Sequence, residues 1–223
     1  MTDYREELDR ALAFTGVGHE LPARARADQL LRLAMQHLGD PARLDALDVG
    51  CGIGLTDREF RGRLGSLTGT DVSEAALETA ARENPDVRYV RGERDRLPFD
   101  DRRFDLVFAS SVVQVVPSAD RPRFVSELAR VTRPGGLTVV VEHNPYNPAA
   151  RLVVRRFRSD EPIVMLPAGR MKRLLRVNRL EPVETGFFLL TPSRRDGLMR
   201  IERGLRRLPL GAQYYVAARP ALG

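Results

Sequence analysis

Tryptophan is absent from the 223 residues, and there is one cysteine (Cys51), one lysine (Lys172) and three histidines (His19, His37 and His143). A single cysteine excludes an internal disulfide, and its place between two glycines suits a small packed residue better than a reactive thiol. With so few sulfur and imidazole ligands no metal-binding cluster is visible, and no metal is expected. No apolar run approaches the roughly 20 residues a membrane-spanning helix needs. Met1-Thr2-Asp3-Tyr4-Arg5-Glu6-Glu7 lacks the apolar core of a signal peptide, so the expected location is cytoplasmic. Aromatics interleaved with basic residues, which a nucleic-acid stacking surface requires, are scarce, and no nucleic-acid partner is expected.

What is present reads as one globular domain, 43% apolar and 30% charged, long enough for a sizeable core. The charge is uneven. Residues 1–150 carry a net −4 and residues 151–223 a net +10. Such a basic half can attract acidic substrates, anionic membranes or nucleic acid, but a solvated arginine-rich surface is the simpler reading.

The chain is organised around Leu47-Asp48-Val49-Gly50-Cys51-Gly52-Ile53-Gly54, an apolar run ending in an acid and three alternate glycines. It reads as a strand entering a ligand-binding turn, where glycine allows positive φ and close approach of a ligand to the backbone. The phosphate-cradling patterns fail: G-x-x-x-x-G-K-[ST] lacks its lysine, and G-x-G-x-x-G from Gly50 meets Leu55. The turn alone leaves a structural role and a nucleotide site both open.

Two helices are expected first, Thr2 to Phe14 and Ala23 to Leu38, with a loop between them that holds His19. From Leu44 strands and helices alternate, which predicts a parallel sheet with crossover helices. The expected strands are Leu44–Val49, Ser66–Thr70, Val87–Arg91, Phe104–Ala109, Leu137–Val141, Val183–Leu190 and Ala212–Ala218. Helices are expected over Leu55–Leu64, Ser73–Arg82 with Ser73 as N-cap, Ala119–Arg130, Ala149–Phe157, Ala168–Arg179 and, as an inserted amphipathic piece, Thr191–Leu208. Asp71 ends the second strand 17 residues after Gly54, where one carboxylate can grip both hydroxyls of a ribose.

Several phrases in order carry a family resemblance. The G-x-G-x-G turn behind Asp48 resembles motif I of the class I S-adenosylmethionine (SAM) dependent methyltransferases. Gly92-Glu93-Arg94-Asp95-Arg96-Leu97-Pro98-Phe99 with Phe104-Asp105-Leu106-Val107 resembles the G-D-A-x-x-L-P-F and F-D-x-V stretches of those that include the ubiquinone and menaquinone biosynthesis enzymes and many small-molecule enzymes. Glu127 to Gly136 resembles their E-x-x-R-V-L-K-P-G-G, a feature that dehydrogenases do not share. The resemblance implies SAM as cofactor, seated on Asp48, Gly50, Cys51, Gly52, Gly54, Asp71, Val72, Glu93, Arg94 and Ser110, with Glu93 at the adenine amino group. Arg94 departs from the small residue usual there.

The fold expected is α/β, a Rossmann-like doubly wound, seven-stranded, mostly parallel sheet with an antiparallel last strand, in a single domain. Residues 1–43 would form an N-terminal helical cap, 44–142 the SAM-binding core, and 143–223 the C-terminal part with helical insertions and the last two strands. Methyl transfer from a sulfonium needs mainly alignment and exclusion of water. An alcohol acceptor adds the need for a base, for which His143 is the better candidate and Glu142 the other. Ser111, Gln114, Asn144, Tyr146 and, from the N-terminal loop, His19 are the expected substrate-pocket residues. Ser-Ser-Val-Val after strand four excludes the N-P-P-[YF] amino methylases, and a lone lysine excludes the K-D-K-E ribose methylases.

The expected function is methylation of a small molecule, at oxygen on a polar or anionic metabolite of natural-product or sugar type. One alternative is C-methylation of a prenylated quinone or lipid at the membrane surface; a second is a SAM-binding or partner protein that does not methylate. Oligomeric state is left open.

Overall fold

The computed structural model describes residues 4–157, 162–189 and 204–221. Seven strands, β1 Asp45–Val49, β2 Ser66–Asp71, β3 Arg88–Arg91, β4 Phe104–Ser110, β5 Thr132–His143, β6 Leu180–Phe188 and β7 Gln213–Pro220, form one sheet in the order β3-β2-β1-β4-β5-β7-β6. The β1–β5 neighbours pair in parallel, and β7 runs antiparallel to both β5 and β6. The sheet is therefore mostly parallel with an antiparallel last strand, as expected.

Among the described residues these helices accompany the sheet: α1 Tyr4–Leu12, α2 Glu20–His37, α3 Glu74–Glu83, α4 Arg121–Val131, α5 Pro148–Arg156 and α6 Ala168–Val177. Side chains alternate across a strand, so each central strand feeds two cores. Ala46, Leu106, Phe108, Val139 and Val141 pack under Ala27, Leu30, Leu31 and Ala34 of α2. Leu47, Val107, Ala109 and Val140 pack on the other face with Val125 and Leu128 of α4 and Met171 and Leu175 of α6. Glu184 of β6 ties α2 to the C-terminal strands: Arg32 and Tyr215 donate to its Oε1 at 2.9 and 2.7 Å, and His37 Nε2 lies 3.1 Å from Oε2. Burial opposes its ionisation, but the hydrogen bonds from Tyr215, His37 and Arg32 win and hold it near about 2.

Several boundaries are corrected. The helix expected over Leu55–Leu64 is only a 3₁₀ turn, Asp57–Phe60, because Gly54 and Gly62, with φ of 72° and 68°, bracket a segment too short for more. β5 begins at Thr132, ahead of the expected Leu137. Thr132 pairs with Phe104 and Leu137 with Leu106, so Arg133–Gly136 bulges opposite Asp105. A Cβ on Gly136 would lie 2.8 Å from Asp105 O, and Arg133 Nη1 donates to Asp105 Oδ1 at 2.8 Å. α2 starts at Glu20, and β6 at Leu180, three residues before the expected Val183. Ser73 is the N-cap of α3, its Oγ accepting from Ala76 N at 3.3 Å. The helix expected over Thr191–Leu208 lies outside the described residues except at its end, where 204–205 are helical and turns follow. No described helix is long and apolar enough to cross a membrane.

Candidate functional site

A cavity of about 530 Å³ opens at the carboxyl ends of β1, β2 and β4, the edge at which open α/β sheets take ligands. Its floor is the glycine turn. Gly50 N and Cys51 N both donate to Thr70 O, at 2.7 and 3.1 Å, which pins the turn to the end of β2.

The three glycines answer to different constraints. Gly50 has φ 75°, and a Cβ there would lie 2.5 Å from Val112 Cγ2, so the loop after β4 rests on it. Gly54, at φ 72°, would meet Asn84 Nδ2 at 2.5 Å and Tyr89 OH at 2.6 Å. Gly52 has φ 55° but open space where its side chain would stand, and it lines the cavity. Two of the glycines serve packing and one leaves room.

Asp71 is fixed by two backbone donors, Gly52 N to Oδ2 and Ser73 N to Oδ1, both at 2.9 Å. A carboxylate offers about four acceptor sites, so lone pairs remain for a diol. Val72, Glu93 and Arg94 line the same wall, all exposed to solvent. Among the described residues, Asp48 Oδ1, Thr70 Oγ1, Ser110 Oγ and Ser111 Oγ are buried at this cavity without a hydrogen-bond partner. Buried polar atoms of that kind call for a ligand with matching groups. A cradle left open by Gly52, a pinned acid on β2 and these orphaned oxygens fit a nucleoside bearing an amino-acid tail.

The floor is acidic. Asp48 is 3% exposed, and burial, then the neighbouring Asp57, push its carboxyl well above the ordinary range, with Arg26 opposing. Burial likewise lifts Asp57 to about 6, against hydrogen bonds from Asp48 and from Tyr89, whose hydroxyl donates to Oδ2 at 2.9 Å. Cys51, half-buried with Sγ 3.7 Å from Gly52 O, has its thiol pushed far up by burial and by Asp48, Asp57 and Asp71.

Arg26, Thr56 and Asp57 are not among the residues expected from sequence. Arg26 Nε donates to Gln213 Oε1 at 3.3 Å and Nη1 to Thr56 Oγ1 at 3.4 Å, placing a guanidinium on the cavity wall. The available signal was a cation on the Ala23-Ala27-Leu30 stripe of α2, all three of which are buried.

At the far side, His143 lines the cavity with Nδ1 3.1 Å from Gln114 Oε1. An amide oxygen can only accept, so this contact puts the proton on Nδ1 and leaves Nε2 as the basic nitrogen. Burial, with Arg26 adding repulsion, lowers the imidazole to about 4 and keeps it neutral at pH 7. Ser111 and Gln114 line the same cavity.

Four other expectations do not survive the geometry. Strand alternation sends Glu142 to the face opposite His143: it is fully buried, off the cavity wall, and its Oε1 accepts from Val113 N at 2.8 Å. Glu142 therefore positions the loop after β4 and does not touch the cavity. His19 is held by Asp9, Nδ1 lying 2.9 Å from both carboxylate oxygens, over a separate small recess. Asn144 is 1% exposed and spends its amide on Pro209 O and Gly211 O, both at 2.9 Å. Tyr146, 69% exposed, does not line the cavity. Among the described residues no cluster could hold a metal ion.

A doubly wound sheet of this order, with a reversed β7 and a G-x-G-x-G turn after β1, defines the Rossmann-like fold of the class I SAM-dependent methyltransferases. Residues 47–140 match the family model described as a methyltransferase domain. The malonyl-[acyl-carrier protein] O-methyltransferase of Serratia marcescens is 34% identical over 110 residues, covering 49% of this chain and 41% of the relative. The demethylmenaquinone methyltransferase of Staphylococcus aureus is 37% identical over 116 residues, covering 48% and 46%. The chain thus spans less than half the length of these curated relatives. Among solved structures, a geranyl diphosphate methyltransferase in complex with SAM superposes with a TM-score of 0.63 at 22% identity, covering 89% of this chain and 85% of the other.

Proposed function

We propose that this protein transfers a methyl group from SAM to the oxygen of a small molecule, with His143 as general base. Residues 44–142 form the cofactor-binding core in this reading. The observation that carries it is a neutral imidazole, oriented by Gln114, facing the same cavity as the glycine turn and Asp71. The cofactor supplies an electrophilic methyl on a sulfonium. Asp71 accepts from the ribose hydroxyls, Glu93 meets the adenine amino group, Asp48 faces the ammonium of the methionine portion, and Arg26 can pair with its carboxylate. His143 Nε2 takes the proton of the attacking hydroxyl, and Glu142 acts one step removed by holding the loop that carries Gln114. His143, beside Gln114 on the cavity wall, counts against the non-methylating alternative.

Asp71→Ala is expected to weaken SAM binding by ~1.5 to 3 kcal/mol, roughly 10- to 150-fold, through loss of charge-assisted bonds and of the tether on Gly52. Calorimetry measures this, and unchanged affinity refutes the assignment. His143→Ala is expected to lower kcat with the true acceptor by about 10²-fold or more while SAM affinity holds. Label from methyl-labelled SAM, followed into acceptors from fractionated cell extract, tests the reaction itself: SAM binding with no transfer overturns the enzymatic reading.

A further inference from the structure

Beyond the cofactor seat the cavity changes character. Its outer wall is made by Leu8 of α1, Val153 and Val154 of α5, Phe157, Ile163 and Val115. α1 and α5 meet through a small apolar cluster in which Ala11, Leu12 and Val153 are buried and Leu8 and Phe157 pack alongside. The wall is continuous with the catalytic side. Val164 N donates to Gln114 O at 2.8 Å, and Arg121 Nη2 donates to Val164 O at 3.2 Å, so the segment carrying Ile163 is fastened to the loop that orients His143. The polar side chains that line the cavity near His143 are Ser111, Gln114 and Arg26, whereas the α1–α5 wall offers hydrocarbon.

From this juxtaposition, and resting on the methyl-transfer reading above, we propose that the acceptor is an amphiphile: a hydroxyl-bearing head at His143 and an apolar chain lying along the α1–α5 wall. This departs from the polar metabolite expected from sequence. A polar acceptor would leave Leu8, Val154, Phe157 and Ile163 wetted and would bring hydrogen-bonding groups against side chains that carry none. An apolar chain removes that surface from water, and its contribution grows with each methylene buried.

The test uses the whole protein saturated with S-adenosylhomocysteine, which cannot donate a methyl, titrated calorimetrically with phenol and a series of 4-n-alkylphenols from ethyl to hexyl. Affinity is expected to rise about fourfold per methylene, corresponding to ~0.8 kcal/mol each. Val154→Asp and, as a second variant, Ile163→Asp are expected to flatten that rise while the affinity for S-adenosylhomocysteine stays at the wild-type value, which also reports that the variants fold. A flat series in the wild type, or a slope that survives both substitutions, overturns the proposal. Methyl transfer from labelled SAM to the same phenols is scored separately: chain-dependent binding without transfer supports the cleft and refutes the transferase reading, and transfer without chain dependence does the reverse.

Discussion

Gly52→Leu is expected to abolish SAM binding in a domain that still folds. The substitution costs ~1 to 2 kcal/mol because a side chain at φ 55° meets the left-handed penalty, a loss of a few degrees in melting temperature for a domain of this size. Nothing lies within 4 Å of the position its Cβ would take, so the fold has no further cost to bear. The added side chain enters the cavity on the turn beneath the cofactor, and affinity is expected to fall at least 100-fold, ~2.7 kcal/mol. Gly54→Leu is the contrasting case. Its side chain would collide with Asn84 and Tyr89, so loss of stability accompanies loss of binding. Thermal unfolding and SAM calorimetry on the two variants decide the matter; a Gly52→Leu protein that binds SAM normally would remove the turn from the cofactor site.

Glu142→Gln is expected to stabilise the protein increasingly as pH rises. Burial lifts the Glu142 carboxyl to about 8, with the Val113 and Gln114 amides and the Arg121 and Arg26 charges opposing. The folded value thus exceeds the ordinary one near 4.5, so the group's contribution is fully present below pH 4.5 and is lost as pH climbs through 8. His143 has the opposite sign. Its folded value of about 4 lies below 6.5, so its contribution is present above 6.5 and lost as pH falls through 4. Asp57, raised to about 6, has finished titrating lower.

Asp48, Asp57 and His143 titrate in both proteins, so the difference between variant and wild type isolates Glu142. The amide mimics the protonated acid, can still accept from Val113 N through Oε1, and does not ionise. Urea unfolding is expected to show a difference near zero at pH 5 that grows to ~2 to 4 kcal/mol at pH 9. A difference that does not change with pH refutes a buried, protonated Glu142.

Which parts of this were legible in the sequence follows from how local each constraint is. The strand, the glycine turn and Asp71 lie within a short span, and each glycine there answers a steric demand that leaves a residue-level trace. The mostly parallel sheet and its reversed last strand followed from strand–helix alternation together with the family phrases, whereas the strand order comes from the structure. Glu142 and His143 could not be separated that way. Val139-Val140-Val141 is buried on both faces, so the two-residue alternation that would assign the next two side chains leaves no mark. The helix expected after Gly54 had adequate composition and lost to two glycines in left-handed backbone and to Asp57, whose carboxylate is held by Tyr89. Arg26 and the α1–α5 wall join segments far apart in the chain, beyond the reach of any local pattern.

The acidic floor bears on how the protein would fare under oxidants. A thiol reacts with peroxide or an alkylating agent as the thiolate, and Cys51 lies in the turn that carries the cofactor site. Because burial and three carboxylates disfavour its ionisation, that turn can hold its one sulfur where a modified cysteine would block the seat, without a second thiol or a disulfide to guard it.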